Sequence, residues 1–315
     1  MAKASTLSSH TAGTPKKMVK YIPAPYYFKL NSLNASVPIC IVGLIANAIV
    51  LCLYCCKINK PKLGPYFLNV TFSNLIIIVC NLEVAAFYIG EMTTPLVLQR
   101  LLEMLHIFAY DTTLYIFTAL TAERFLTVYF PVWWQHHRFN NFSVTMCAIL
   151  WVVSGLESLM VYFSCYPRFK LINYDNTTCT IATIVEIIME VIIFSPSLLF
   201  FTLAICIKRR RTQQNPLARL DITIVIIAIL LLLLSIPVRL LHTISFWVQS
   251  MDWFLLTSTA LLLDSCTSSS IPFVFLIVGS WKRQKAFEPF CMFLERALKD
   301  TEDTSEPTTA DQEQA

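Results

Sequence analysis

Apolar residues in this chain fall in blocks of twenty or more, and this decides the fold class before any motif is read. As a helix, a block of that length spans the roughly 30 Å of bilayer hydrocarbon. Seven segments can be counted, at about 34–56, 65–89, 97–130, 142–164, 180–207, 218–247 and 253–280. None shows the period-two alternation of a transmembrane barrel. In lipid a helix satisfies its own backbone within one segment, so the sequence predicts an all-α membrane protein, a seven-transmembrane helix bundle. Composition agrees. The chain is 56% hydrophobic and 14% charged, where a soluble domain has nearer half and about a quarter. The bilayer is the expected surrounding, and no nucleic-acid partner is expected.

Residues 1–30 lack the apolar core of a signal peptide. Lys3, Lys16, Lys17, Lys20, Pro23 and Pro25 interrupt them, so the first span is expected to act as the insertion anchor. Of 11 cysteines, Cys40, Cys52, Cys80, Cys147, Cys206 and Cys266 lie in apolar runs and read as small hydrophobes. No C-x-x-C is matched by a second one or by spaced histidines, so neither a metal nor another cofactor is expected.

Seven is odd, so the two ends of the chain lie on opposite sides. One set of loops holds "CKINKPKLGP", "QHHRF" and "IKRRRTQQNPLAR", followed by "WKRQK"; the other has little besides Arg168 and Lys170. The positive-inside rule puts the first set in the cytosol and the amino end outside, although the lysines before the first span argue weakly the other way. The sequons at Asn34 and Asn176 then fall outside as glycosylation candidates, while those at Asn69 and Asn141 fall inside and read as chance matches.

After the last span, "WKRQKAFEPFCMFLERALKD" spaces Phe287, Phe290, Phe293, Leu294 and Leu298 at near-helical intervals. This predicts an amphipathic helix on the inner membrane surface. Cys291 is a palmitoylation candidate, with an unmodified buried thiol as the alternative. The acidic tail, rich in Thr and Ser, reads as disordered. The expected divisions are 1–33 extracellular segment, 34–281 bundle, 282–299 surface helix and 300–315 cytoplasmic tail.

Several strings carry a resemblance. They are "GLIAN" with Gly43 and Asn47, "ERF" followed by "YFPVWW", Trp151, Pro196, "SIPVR" with Pro237, and "SSSIPFVFLIVGSWKRQ" with Pro272. In that order they resemble rhodopsin-like G-protein-coupled receptors. "ALTAERFLTVYFPVWWQHHR", "CAILWVVS", "SIPVRLL", "FLIVGSWKRQ" and "LERALKDT" are similar to the Mas and Mas-related family, over roughly residues 35–300. The resemblance implies a receptor rather than an enzyme, partnered by a heterotrimeric G-protein. Arrestin is a further partner, recruited to a tail whose Thr301, Thr304, Ser305, Thr308 and Thr309 are candidate phosphorylation sites. It also implies a disulfide between Cys165 and Cys179, because the usual cysteine of the third helix is Gln99 here. Two free thiols are the alternative. A bridge closing about fourteen residues contributes about 3 kcal/mol in the chain-entropy model.

The chain departs from the wider receptor pattern in three places. Asn74 stands where an aspartate usually holds sodium, and Ile271 and Phe275 replace the asparagine and tyrosine of the seventh helix. Sodium binding is expected to be lost, and signalling strength is left open. At the inner end of the third helix, Glu123 is expected to hold Arg124 until activation frees it for the G-protein.

A charge at the bilayer centre costs about 2.5–3.5 kcal/mol, so intramembrane charges are expected to face the bundle interior. They are Glu83, Asp111, Glu157, Glu186, Glu190, Arg239 and Asp264, together with His106 and His242. Asp111 precedes Arg124 by thirteen residues, roughly 20 Å along a helix. Six acids against one arginine in the outer half suggest a pocket for a small cationic peptide or amine. Internal pairing, for example Arg239 with Asp264 or Glu190, is the alternative for any single residue. Family members that bind basic peptides and amines carry acids where this chain has Val161 and Thr183. Glu157 and Glu186 lie one turn deeper on those faces, which predicts a deeper acidic pair.

Other classes remain on the table. An atypical weakly or constitutively signalling receptor fits the lost seventh-helix residues. A seven-helix transporter would show internal repeats, and none is seen. An intramembrane enzyme would need a nucleophile with its base, or paired metal ligands, and His106 and His242 have no such company. Bitter-taste or pheromone receptors lack the "ERF…YFPVWW" and "LIVGSWKRQ" strings.

Overall fold

A computed structural model gives the folded chain and describes residues 24–56, 62–89, 95–165, 177–211, 219–237, 239–240 and 253–280, with 292 and 294. Among them are seven long helices: α1 (Ala24–Cys56), α2 (Gly64–Ile89), α3 (Leu96–Tyr129), α5 (Phe142–Ser164), α6 (Thr177–Arg211), α7 (219–235) and α8 (Trp253–Ser280). A short helix, α4 (Pro131–His137), follows α3. The periodicity gave no sign of α4, but a proline suits the first turn of a helix because its missing N–H has no partner there anyway. The first helix starts at Ala24 and not at 34. Its first ten residues, "APYYFKLNSL", are too polar to register as part of an apolar block.

Five of the described helices are long and apolar enough to cross a membrane. Of the other two, α3 is too polar, and its position explains why. From Ala109 to Thr121 every residue but Ala119 is buried, because α3 packs against α2, α5 and α6 at the centre of the bundle. A helix screened from lipid by its neighbours can carry Asp111, Thr112, Thr113, Thr118 and Thr121. The apolar exposure sits on the outer helices instead, in Ile45 of α1, Phe163 of α5 and Phe200 of α6. Glu83 breaks the inward-facing expectation. It is exposed six residues before the end of α2, close enough to the helix terminus to reach the headgroup region.

Specific side chains set how the helices meet. A Cβ at Gly43 would collide with the side chain of Ser269, so glycine lets α1 and α8 approach closely. Asn47 Nδ2 then donates to Gly43 O at 2.9 Å and to Ser268 O at 3.1 Å. Trp151 Nε1 donates to Asn69 Oδ1 at 2.8 Å, tying α5 to α2. Two helices widen into π turns just before a proline: Ile188–Phe194 before Pro196 and Leu231–Ser235 before Pro237. Proline removes the N–H that would serve the carbonyl four residues back, and a wider turn shifts the hydrogen bonding around that gap. At the first of them, Ser195 N and Oγ both donate to the carbonyl of Glu190, five residues back.

Residues 1–23, Asn176, His242, Cys291 and the tail from Asp300 lie outside the described residues. Of the expected surface helix, Met292 is exposed and Leu294 is buried in the core.

Candidate functional site

Charged residues gather at both ends of the bundle. One end carries the disulfide. Cys165 after α5 is bonded to Cys179 in α6, with their Cα atoms 4.7 Å apart. Arg100 of α3 donates to the carbonyls of Tyr162 and Cys165 and lies over the Tyr162 ring, 4.6 Å from its centroid. Three helices are thereby fixed to one another at this end.

Deeper in the bundle, Arg239 follows the π turn of α7 and draws acids from two other helices. Its Nη2 stands 3.4 Å from Glu190 Oε1, 3.5 Å from Glu186 Oε1 and 4.0 Å from Asp111 Oδ1. The guanidinium also lies over the Tyr110 ring, 4.5 Å from the centroid. Glu186 and Glu190 are one turn apart on α6, so both can reach one cation. Glu157 is held elsewhere: Tyr115 OH donates to its Oε2 at 2.5 Å, and the Tyr115 ring stacks on Phe194. Asp264 pairs with His106 Nε2 at 3.5 Å and not with Arg239. Neither oxygen of Asp264 or of Asp111 has a hydrogen-bond partner among the described residues.

A cleft opens beside this cluster, with about 600 Å³ of empty volume including its mouth. Val84, Leu102, Ile107 and Leu261 give it apolar walls, Glu103 and Thr257 line it as well, and His106, Arg239 and Asp264 complete its polar side. Of the seven expected ligand residues, those three line the cleft. Asp111, Glu186 and Glu190 gather around Arg239, and Glu157 bonds to Tyr115.

At the opposite end, where the basic loops lie, Arg124 Nε donates to Asp221 Oδ1 at 2.5 Å, linking α3 to α7. Arg209 Nε of α6 stands 2.7 Å from Asp221 Oδ2, an ion pair bent too far to be a hydrogen bond. Asp221 is fully buried and Arg124 nearly so. Glu123 accepts from Arg138 Nε at 2.7 Å, and Ser143 Oγ is 3.1 Å from its Oε2. Each of the adjacent charges of "ERF" therefore has a partner on another element. For Arg124 that partner is Asp221, an aspartate across the bundle.

Comparison with known proteins bears on these two clusters. No family model matches the chain. It is 28% identical over 267 residues to proto-oncogene Mas of Homo sapiens, covering 82% of this chain and 80% of that protein. It is 28% identical over 275 residues to Mas-related G-protein coupled receptor member A8 of Mus musculus, covering 84% and 88%. With member X1 of Mus musculus the identity is again 28%, over 315 residues, 96% of this chain and 94% of the other. The chain is thus similar over four-fifths or more of its length to Mas and Mas-related receptors.

With that likeness and its long apolar helices, the chain is a multi-pass membrane protein of the G-protein-coupled receptor kind, not an enzyme. Its disulfide joins the fourth and fifth long helices. At the positions that depart from the wider receptor pattern, Asn74 and Ile271 are buried, and Phe275 packs edge-on against Phe67 with ring centroids 5.6 Å apart. Tyr110, Tyr115, Arg138 and Arg209 complete the two clusters and escaped sequence reasoning. Each has a long side chain whose partner lies on another helix, and no local pattern records that pairing.

Proposed function

We propose that this receptor binds an extracellular cationic peptide or amine at the disulfide end and passes the signal to a heterotrimeric G-protein at the basic end. The observation that carries this is the surplus of buried carboxylate around one arginine, beside a cleft with apolar walls. Asp111, Glu157, Glu186, Glu190, Arg239, Asp264 and His106 form the proposed recognition group. Glu157 and Glu186 make its inner acidic pair. A cation that completes this group binds one arrangement of the helices better than the other and shifts their populations.

The amino end lies outside in this proposal. The loops rich in lysine and arginine favour the cytosol, and a disulfide needs an oxidising side. Asn34 and Asn176 are then glycosylation sites, although Asn34 sits within α1. Glu123 and Arg124 couple to the G-protein, Cys291 takes a lipid on the surface helix of 282–299, and the tail at 300–315 serves arrestin.

Nucleotide exchange on a G-protein panel, driven by cationic peptides and amines in cells of matched surface expression, tests the reading. Stimulation by cations and not by anionic analogues is expected. Unchanged potency in both Glu157→Gln and Glu186→Gln would remove that pair from the recognition group. A second reading, weak or constitutive signalling, is favoured by Ile271 and Phe275, which put apolar groups where receptors usually have an amide and a hydroxyl. Exchange above background without ligand would support it.

A further inference from the structure

We propose that Asp264 anchors the ammonium group of a compact amphipathic amine, and that the His106 ring covers this carboxylate until the ligand arrives. This assignment rests on the cation-receptor reading and narrows it to one carboxylate and one ligand class.

Asp264 differs from the other acids in being both unsatisfied and at the cleft. It is 2% exposed, and neither oxygen has a hydrogen-bond partner among the described residues. Glu157 has Tyr115, and Glu186 and Glu190 stand near Arg239. Asp111 is also unsatisfied but does not line the cleft, and Glu103 lines the cleft but already has a partner. The nearest basic side chain to Asp264 is His106, whose Nε2 stands 3.5 Å away, too long for a good hydrogen bond. The His106 side chain is 19% exposed while that of Asp264 is 3%, and both line the cleft, so the ring is the more accessible of the pair. Rotation of one side chain uncovers two acceptor oxygens, and an ammonium brings three donors.

The walls set the rest of the ligand. Val84, Leu102, Ile107 and Leu261 suit an apolar body, with the Thr257 hydroxyl the one neutral polar side chain among them. The volume, about 600 Å³ with the mouth included, lies within the roughly 300–1,000 Å³ of small-molecule pockets. A ligand carboxylate is disfavoured even though Arg239 lines the cleft, because that guanidinium already has Glu186 and Glu190 beside it.

The test uses the full-length receptor with Ala260→Cys, a cleft position one turn from Asp264. The probes are the cationic aminoethyl and anionic sulfonatoethyl methanethiosulfonates. Their labelling rates are taken as a ratio and normalised to a free thiol in solution, which cancels the reactivity of the cysteine itself. Parent receptor without the added cysteine supplies the background. The cationic reagent is expected to be favoured by roughly tenfold, with Asp264→Asn removing most of that preference. Asp264→Glu should keep the preference, His106→Ala should increase it, and Glu83→Gln, at an exposed acid outside the recognition group, should leave it within about twofold.

A preference that survives Asp264→Asn but disappears in Glu186→Gln overturns the Asp264 assignment and leaves the cation-receptor reading intact. No preference in the Ala260→Cys receptor overturns both. Loss in Asp264→Glu as well as in Asp264→Asn would show that shape and not charge is responsible. A preference unchanged or reduced in His106→Ala overturns the role of the histidine as cover.

Discussion

The two charged ends of the bundle are paired to different degrees. At the basic end the oxygens of Asp221 lie 2.5 and 2.7 Å from two arginines, and Glu123 has both Arg138 and Ser143. At the disulfide end the four oxygens of Asp111 and Asp264 have no hydrogen-bond partner among the described residues, and their nearest basic side chains, Arg239 and His106, are 4.0 and 3.5 Å away. Burying charge is tolerated where pairing is close and is costly where it is not. The basic end therefore reads as a closed latch between α3, α6 and α7. The disulfide end reads as a site that a cation from outside would complete. One bundle can hold both because α3 and α6 run between the two ends and supply charges at each.

The comparison can be broken at the latch or at the frame that supports both ends. The largest effect is expected from Arg124→Ala, which should abolish G-protein activation with surface expression retained, as measured by nucleotide exchange beside surface labelling. Replacing Cys165 and Cys179 together by serine should lower the unfolding free energy by about 3 kcal/mol, read by steric trapping in bicelles. That change strikes the disulfide end alone, so ligand-independent exchange should be less affected than ligand response. Gly43→Ala should cost about 1–3 kcal/mol through overpacking against Ser269, read the same way. Smallest should be Trp151→Phe, which removes the hydrogen bond to Asn69 at about 0.6 kcal/mol, typical of such bonds between helices in membranes.

Much of the frame was legible from the chain alone, because span length, loop charge and proline placement are local signals. The described ends of the helices lie within a few residues of the apolar runs, except where α1 continues into "APYYFKLNSL", where α4 forms in a loop, and after α7, where the run to 247 passes beyond the described residues. The π turns before Pro196 and Pro237 were not legible, since a proline shows where hydrogen bonding must change but not how. At the sites, the acid surplus could be counted but not the partners. Glu123 and Arg124 are neighbours in the chain, and adjacency suggested a pair. Helical geometry turns adjacent side chains toward different neighbours, so Arg124 reaches Asp221 and Glu123 reaches Arg138. Likewise Arg239 was matched in sequence with Asp264 or Glu190. Of these two, only Glu190 is within ion-pair distance of it, and Asp264 lies beside His106 instead.

The central claim is that the Arg124–Asp221 contact holds this receptor closed and that breaking it opens the G-protein face. Ligand-independent nucleotide exchange by purified receptor in nanodiscs, compared between the unaltered chain and Asp221→Asn, tests this most directly. The contact predicts exchange several-fold above the unaltered receptor for Asp221→Asn, because Arg124 is released with its charge intact. Exchange at or below the unaltered level, in a variant that remains folded, would contradict it.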